Sequence, residues 1–270
     1  MIYDTVLDKE LSVKNRPDIY AGVVQEMYEL GKDILILDDY VIKKVDETEY
    51  KKMTYVTSCF GDIDLKHSQI NVRYLGFIPK LKTFKIGSFY YIIMPRAHHT
   101  LIDFIKTRQH MIFPLLKQAI LINCVMAKSG IYHADYKADN LFVTKVPELV
   151  NSIQVFGKHL VRYDGYLVQV ADFGISQIEN RQDVSGCRYL DYTGDTQLLD
   201  INNKTDCKSH IADMMKLIAF ILRESSIQTN IKVKLDYLLR YIYDKCRNQH
   251  YNTRSFNLLV EDILQEIDDL

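Results

Sequence analysis

The chain has 270 residues, which is enough for one large domain or two small ones with a sizeable core. Its 34 Lys and Arg balance 35 Asp and Glu to a net charge of −1, so nothing in the charge supports a nucleic-acid-binding surface. The five Cys are odd in number and scattered, which argues against a disulfide framework or zinc ribbon and favours a reducing, intracellular compartment.

The first third of the chain alternates between short apolar runs and turn residues, a pattern that predicts strands. The predicted strands cover residues 34–37, 40–42, 72–78 and 89–94. Between the second and the third, Met53 and Val56 have i, i+3 spacing, which predicts a helix over about 47–59. The first four residues carry neither the basic segment nor the apolar run of a signal peptide.

After Pro95 the pattern becomes helical. A long buried helix is predicted over 113–128, ended by Ser129-Gly130, and further helices over 211–223, 231–245 and 255–267. Polar residues interrupt the apolar run 115–127, so we expect it to be too short to span a membrane. A strand-rich part followed by a helix-rich part indicates an α+β protein.

Two short motifs carry the chemical information. The first is His133-Ala134-Asp135-Tyr136-Lys137-Ala138-Asp139-Asn140, and the second is Asp172-Phe173-Gly174. As H-x-D-x-K-x-x-N and D-F-G, they resemble the catalytic and metal-binding loops of eukaryotic-type protein kinases, in particular the minimal serine/threonine kinases of large DNA viruses. The resemblance implies a bilobal protein-kinase-like fold. This fold would consist of a β-rich N-lobe over 1–95 and a mainly helical C-lobe over 96–270, with an ATP cleft between them.

The resemblance assigns a role to four polar residues of the two motifs. Asp135 would act as the base for the acceptor hydroxyl, and Lys137 would steady the transferring phosphoryl group. Asn140 and Asp172 would bind Mg²⁺, which prefers oxygen ligands and keeps waters and phosphate oxygens in its shell. Lys137, two positions after Asp135, is similar to the serine/threonine pattern rather than to the tyrosine-kinase variants.

Two upstream segments resemble the ATP pocket of the same family. Val41 and Lys43 alternate on one predicted strand and therefore share a face, so Val41 would line the adenine pocket and Lys43 would reach the phosphates, while Lys44 points away. Met94, Pro95 and Ala97 resemble the hinge: Met94 would lie behind the adenine, the Pro95 carbonyl would accept from it, and the Ala97 N–H would donate to it.

Downstream, Asp213 resembles the buried acid that holds the catalytic loop. An ordinary acid near a helix N-terminus is the alternative.

Several features depart from the family pattern. No G-x-G-x-x-G precedes Lys43, Ala134 replaces the usual Arg, and no A-P-E lies between Asp172 and Asp213. The acid that pairs with Lys43 is open among Glu49, Asp62 and none. Asp164-Gly165 between apolar runs predicts a β-hairpin insertion over about 155–170.

The combined prediction is an ATP- and Mg²⁺-dependent protein kinase acting on Ser and Thr of protein substrates, in the cytoplasm of a cell, or of the host cell or virion if the chain is viral. Neither a nucleic-acid nor a membrane partner is expected. The alternatives are a pseudokinase scaffold, favoured by the missing glycine loop, and a small-molecule phosphotransferase of the same superfamily. The second class usually lacks a lysine at the position of Lys137.

Overall fold

The computed structural model describes residues 17–61, 76–78, 82–145, 152–155, 159–162, 164–178, 208–246 and 253–270. Within these ranges the chain is a mixed α+β protein with small antiparallel sheets and seven α-helices. It divides into two compact units, Met1–His98 and His99–Leu270.

The first unit combines two helices with an antiparallel sheet. In chain order its elements are α1 (Pro17–Glu29), β1 (Ile34–Ile36), β2 (Tyr40–Val45), α2 (Glu47–Gly61), β3 (Gly76–Phe77), β4 (Lys82–Ile86) and β5 (Phe89–Pro95). Four strands form one sheet in the order β1-β2-β5-β4. The predicted strands at 34–37, 40–42 and 89–94 and the helix at 47–59 are confirmed. Most of the strand predicted at 72–78 lies outside the described residues.

Helix α1 was not among the predicted elements, and it supplies three of the six buried residues of a hydrophobic cluster in the first unit. It begins at Pro17, whose fixed φ suits the first helical position. Tyr20, Val24 and Met27 recur at i, i+4, i+7 and are buried against Ile42 and Tyr91 of the sheet. The helix ends before Gly31, which has a φ of 64° that glycine adopts without strain.

The second unit is mainly helical. In chain order its elements are β6 (His99–Thr100), α3 (Leu101–Thr107), a 3₁₀ turn (Gln109–Met111), α4 (Ile112–Lys128), β7 (Ile131–Tyr132), β8 (Leu141–Lys145), β9 (Ser152–Val155), β10 (His159–Arg162), β11 (Tyr166–Val170), β12 (Gln177–Ile178), α5 (Lys208–Arg223), α6 (Thr229–Cys246) and α7 (Thr253–Asp269). The four helices predicted after Pro95 are confirmed as α4 to α7.

Small strand pairs hold the two motif segments in place. Strand β8 pairs antiparallel with β11, so that Leu141 lies opposite Val170, immediately after the first motif and immediately before the second. Strand β7, just before the first motif, pairs with β12, just after the second. Each motif is therefore a loop between two strands. Both loops are fixed at their ends by the same two strand pairs, β7–β12 and β8–β11.

The hairpin predicted around Asp164-Gly165 is differently placed. Those two residues do turn the chain, with φ values of 42° and 77°. In the described part of the insertion, however, β10 pairs with β9, with His159 opposite Val155. Strand β11 pairs with β8 because that register buries Leu141, Val143, Val168 and Val170 together. Burial of this apolar set outweighs the local turn signal.

Helix α4 is the central helix of the second unit. Together with the preceding turn it forms a helical stretch, Gln109–Ala127, that is long and apolar enough to cross a membrane by length and composition. The prediction that this segment is too short to span a membrane is therefore wrong as to its length. However, 67% of the stretch is buried inside the protein. Leu115, Leu116, Ala119 and Ile120 are fully buried, as expected for a core helix.

Candidate functional site

Asp135 is held by two of the residues predicted to work with it. Its Oδ2 lies 2.9 Å from Nζ of Lys137 and accepts a hydrogen bond of 2.8 Å from Nδ2 of Asn140. Asn140 also donates to the backbone carbonyl of Asp135 at 2.9 Å. Both side chains contact Oδ2 of Asp135, and no described residue forms a hydrogen bond or ion pair with Oδ1. One oxygen of the carboxylate is therefore oriented and the other is left to accept a proton.

His133 and Asn140 together fix the residue next to Asp172. The backbone N–H of Ala171 donates to the Asn140 carbonyl at 3.0 Å, and the Ala171 carbonyl lies 3.0 Å from Nε2 of His133. Both polar backbone groups of Ala171 are thus bonded to the first motif. Asp172 itself is exposed and has a φ of 67°, a left-handed conformation that is strained for a residue with a side chain.

His133 is a neutral, structural side chain. It is fully buried between the rings of Tyr136 and Phe173. Burial lowers its pKa, and its Nδ1 accepts a 3.3 Å hydrogen bond from the backbone N–H of Asp135. Nε2 therefore carries the proton that is donated to the Ala171 carbonyl. These contacts show a histidine that packs and hydrogen-bonds within the loop.

Asp213 and Lys216 of α5 hold the backbone of the first motif from the other side. Oδ2 of Asp213 accepts a long 3.4 Å hydrogen bond from the Ala134 N–H, and Nζ of Lys216 donates to the Ala134 carbonyl at 3.1 Å. Ala134 has a φ of 68°, which is a strained backbone conformation for alanine. The prediction placed Asp213 under this loop but missed Lys216, although an Asp and a Lys three residues apart in an apolar helix were a usable signal.

Burial shifts the ionisation of this supporting layer. Complete burial raises the pKa of Asp213 to about 7, against the opposing effects of Lys216 and of backbone N–H groups. Desolvation, and then the proximity of Asp213, raise the pKa of Tyr136 well above its usual value. Tyr136 donates its hydroxyl hydrogen to the Ala119 carbonyl of α4 at 2.6 Å, which ties the loop to the central helix.

In the first unit, Lys43 forms an ion pair with Glu49. Nζ of Lys43 lies 2.6 Å from Oε1 of Glu49, and the two side chains are 22% and 16% exposed. Helix α2 begins directly after β2, and Oδ1 of Asp46 accepts from the Glu49 N–H at 2.7 Å as an N-cap. This tight connection brings Glu49 back beside Lys43. Of the alternatives that the sequence left open, Glu49 is thus a partner of Lys43, and Asp62 lies outside the described residues.

The remaining predicted residues lie on or beside the same sheet. Val41 is directly opposite Met94 in the β2–β5 ladder, and Met94 is buried. Lys44 points to the other face, where it pairs with Asp33 at 3.3 Å and lies over the Phe89 ring, so the predicted alternation of the two lysines is confirmed. Pro95 ends β5, and Ala97 follows it in a half-buried loop.

The oxygen ligands for a divalent metal are few. Among the described residues no group of three or more His, Cys, Asp and Glu is suited to hold a metal ion. Because Nδ2 of Asn140 points to Asp135, its Oδ1 points away, and the Ala171 hydrogen bonds keep Asp172 next to it in the fold. Two hard oxygen donors fit Mg²⁺, which takes its other ligands from water and phosphate. They do not fit zinc, which needs three or four protein ligands.

No protein-family model matches this chain, and no curated protein matches it either.

Proposed function

We propose that the chain is a protein kinase that transfers the γ-phosphoryl group of ATP to Ser and Thr hydroxyls of protein substrates. The proposal includes the bilobal kinase-like fold that the motifs resemble. The observation that carries it is the arrangement at Asp135: Oδ2 bonded by Lys137 and Asn140, and Oδ1 left to accept. A carboxylate held in this way is suited to receive a proton from an attacking hydroxyl.

Asp135, Lys137, Asn140 and Asp172 then have separate tasks. Asp135 orients the acceptor hydroxyl and takes its proton at Oδ1. Lys137, 2.9 Å from Oδ2, brings a positive charge to the transferring phosphoryl oxygens. His133 and Asp213 do not touch the substrate, because they are buried and bond the backbone of the two motifs. Lys216 fixes the Ala134 carbonyl.

Asn140 and Asp172 are the residues that would hold Mg²⁺. The bound ion neutralises phosphate charge, which together with positioning is most of what phosphoryl transfer requires. The chain itself contributes the orientation: the Ala171 N–H donates to the Asn140 carbonyl, and His133 bonds the Ala171 carbonyl, so Asp172 is kept beside Asn140.

ATP binding is proposed for the first unit. Lys43 would bind the α- and β-phosphates, and its ion pair with Glu49 limits the directions in which the ammonium group can point. Val41 and Met94, opposite each other on two strands, would contact the adenine ring, with the Pro95 carbonyl and the Ala97 N–H as its hydrogen-bond partners. Cys124 and Cys246 are buried free thiols, which suits the proposed cytoplasmic location.

A transfer assay with three classes of acceptor tests the proposal. Purified protein is incubated with γ-labelled ATP and Mg²⁺, together with a mixed Ser/Thr peptide library, a panel of aminoglycosides and choline, or no acceptor. Label on Ser or Thr that is abolished by chelation and by Asp172→Asn supports a protein kinase. Label only on a small molecule identifies a small-molecule phosphotransferase instead. ATP binding with no label in any sample identifies a pseudokinase.

A further inference from the structure

A small pocket adjoins the proposed acceptor side of Asp135. Its volume is ≈ 280 Å³, and it lies entirely within the second unit. One wall comes from the catalytic loop, with Asp135 and Lys137. The other comes from the last turn of α5 and the residue after it, with Phe220, Arg223 and Glu224. The pocket therefore starts at the group that would receive the acceptor hydroxyl and ends at a guanidinium group.

The volume of the pocket suits side chains rather than a whole ligand. Pockets that enclose a drug-sized molecule have volumes of about 300–1,000 Å³, so this one accommodates one or two side chains of a longer chain. Phe220 and Ala219 give it an apolar surface against which methylene groups can pack. A polypeptide that extends beyond the pocket is therefore a better occupant than a free aminoglycoside, whose ammonium groups the guanidinium group of Arg223 would also repel.

Among the described residues, the cations of the pocket other than Arg223 have polar partners. Lys137 is paired with Asp135, and buried Lys216 donates to the Ala134 carbonyl. Glu224 accepts from the N–H and hydroxyl groups of Ser226, which lower its pKa, and it lies 3.6 Å from Lys106 outside the pocket.

Arg223 is exposed and forms no ion pair with any described residue. Its planar guanidinium group matches a carboxylate or a phosphate through two parallel hydrogen bonds.

We propose that this pocket selects acidic protein substrates: Arg223 binds an anionic side chain of the acceptor segment, close in sequence to the Ser or Thr presented to Asp135. Arg223 is thus a specificity-determining residue, and the anion is a carboxylate or a phosphate group already present on the substrate. The inference rests on the proposed kinase function, because it assumes that the acceptor hydroxyl reaches Asp135.

Peptide kinetics test the pocket. The peptides form four series, and each peptide carries one acceptor Ser. One flanking position, varied in turn along the peptide, is occupied by Glu in the first series, phosphoserine in the second, Ala in the third and Lys in the fourth. The enzymes are wild type, Arg223→Ala, Arg223→Glu and the control Arg240→Ala. The Arg240→Ala substitution removes the same charge from the same unit. Arg240, however, is 76% exposed on α6 and pairs with Asp236 rather than lining the pocket.

We expect wild type and Arg240→Ala to prefer an acidic flank at one or two positions by on the order of tenfold in kcat/KM, chiefly through KM. Arg223→Ala should remove the preference, and Arg223→Glu should invert it toward Lys. A preference for phosphoserine but not Glu assigns the anion as phosphate, and the reverse assigns it as carboxylate. Equal rates on all four series, or an acidic preference that persists in Arg223→Glu, overturn the proposal.

A binding measurement keeps the two proposals separate. If no peptide is phosphorylated by any enzyme, the proposed function fails, and fluorescence anisotropy of the same labelled peptides still decides the pocket. Tighter binding of the acidic series to wild type than to Arg223→Glu supports an acidic-peptide site in a non-catalytic protein. Equal binding of all series to both proteins overturns it.

Discussion

The ion pair between Lys43 and Glu49 should contribute more to the stability of the first unit than an exposed ion pair does. At 2.6 Å, the attraction between two unit charges is about 6 kcal/mol for an effective dielectric constant of about 20. Desolvation and lost side-chain freedom offset most of it. Surface pairs yield about 0.2–1 kcal/mol, whereas removing one partner of a buried pair costs about 3–5 kcal/mol. Exposures of 22% and 16% place this pair between those limits, so we expect a coupling of about 1–2 kcal/mol.

A double-mutant cycle measures that coupling. The free energy of unfolding in urea is determined for wild type, Lys43→Met, Glu49→Gln and the double variant, and the non-additive part is the coupling energy. The neighbouring pair Lys44–Asp33 is the control, because its atoms lie 3.3 Å apart and Asp33 is 79% exposed. Its own cycle, with Lys44→Met and Asp33→Asn, should give at most about 0.5 kcal/mol. A Lys43–Glu49 coupling no larger than that of the control pair would refute the reasoning.

Three further predictions concern the second unit. Asp213→Asn should change the pH dependence of stability. The pKa of Asp213 in the folded protein, about 7, lies above its unfolded value. The stability that Asp213 contributes is therefore full below about pH 4 and is lost as pH rises to 7. Urea unfolding at each pH should show a loss of about 4 kcal/mol relative to the variant. His210→Phe should show the opposite difference, because burial lowers the folded pKa of His210 to about 4: its contribution is full above about pH 6.5 and falls by about 3 kcal/mol toward pH 4. A flat difference curve would contradict either assignment. Tyr136→Phe removes the 2.6 Å hydrogen bond to the Ala119 carbonyl, which keeps its bond within the helix, and should lower the free energy of unfolding by about 0.5–1.5 kcal/mol. An unchanged melting temperature would show that this contact contributes nothing.

Periodicity predicted most of the secondary structure, and alternation along a single strand assigned Lys43 and Lys44 to opposite faces. Those features depend on residues that are close in sequence. One feature that the sequence left open and one that it misplaced depend on how the chain turns. The partner Glu49 required knowledge that α2 starts at Glu47 with Asp46 as its cap, and the hairpin required knowledge that β8 captures β11. Burial of apolar side chains across the sheet decides such pairings, and no local pattern reports it.

The candidate site divides in the same way. Its polar residues Asp135, Asn140 and Asp172 were visible as motifs, because each is a charged or amide side chain at a fixed position in a short loop. The layer beneath them was visible only in part: Asp213 was predicted, whereas Lys216 and Arg223 were not. Both lie on α5, about 80 residues from the loop they adjoin, and only the folded chain brings them there.

The rate of phosphoryl transfer by two matched variants tests the central proposal most directly. Asp135→Asn and Asp139→Asn are the same substitution four residues apart in the same loop, but Asp135 is held by Lys137 and Asn140, whereas Asp139 is exposed. With saturating Mg²⁺ and ATP, Asp135→Asn should lower kcat for a Ser peptide on the order of 10²–10⁴-fold, and Asp139→Asn should leave it within about twofold. Equal rates for the two variants would contradict a catalytic role for Asp135.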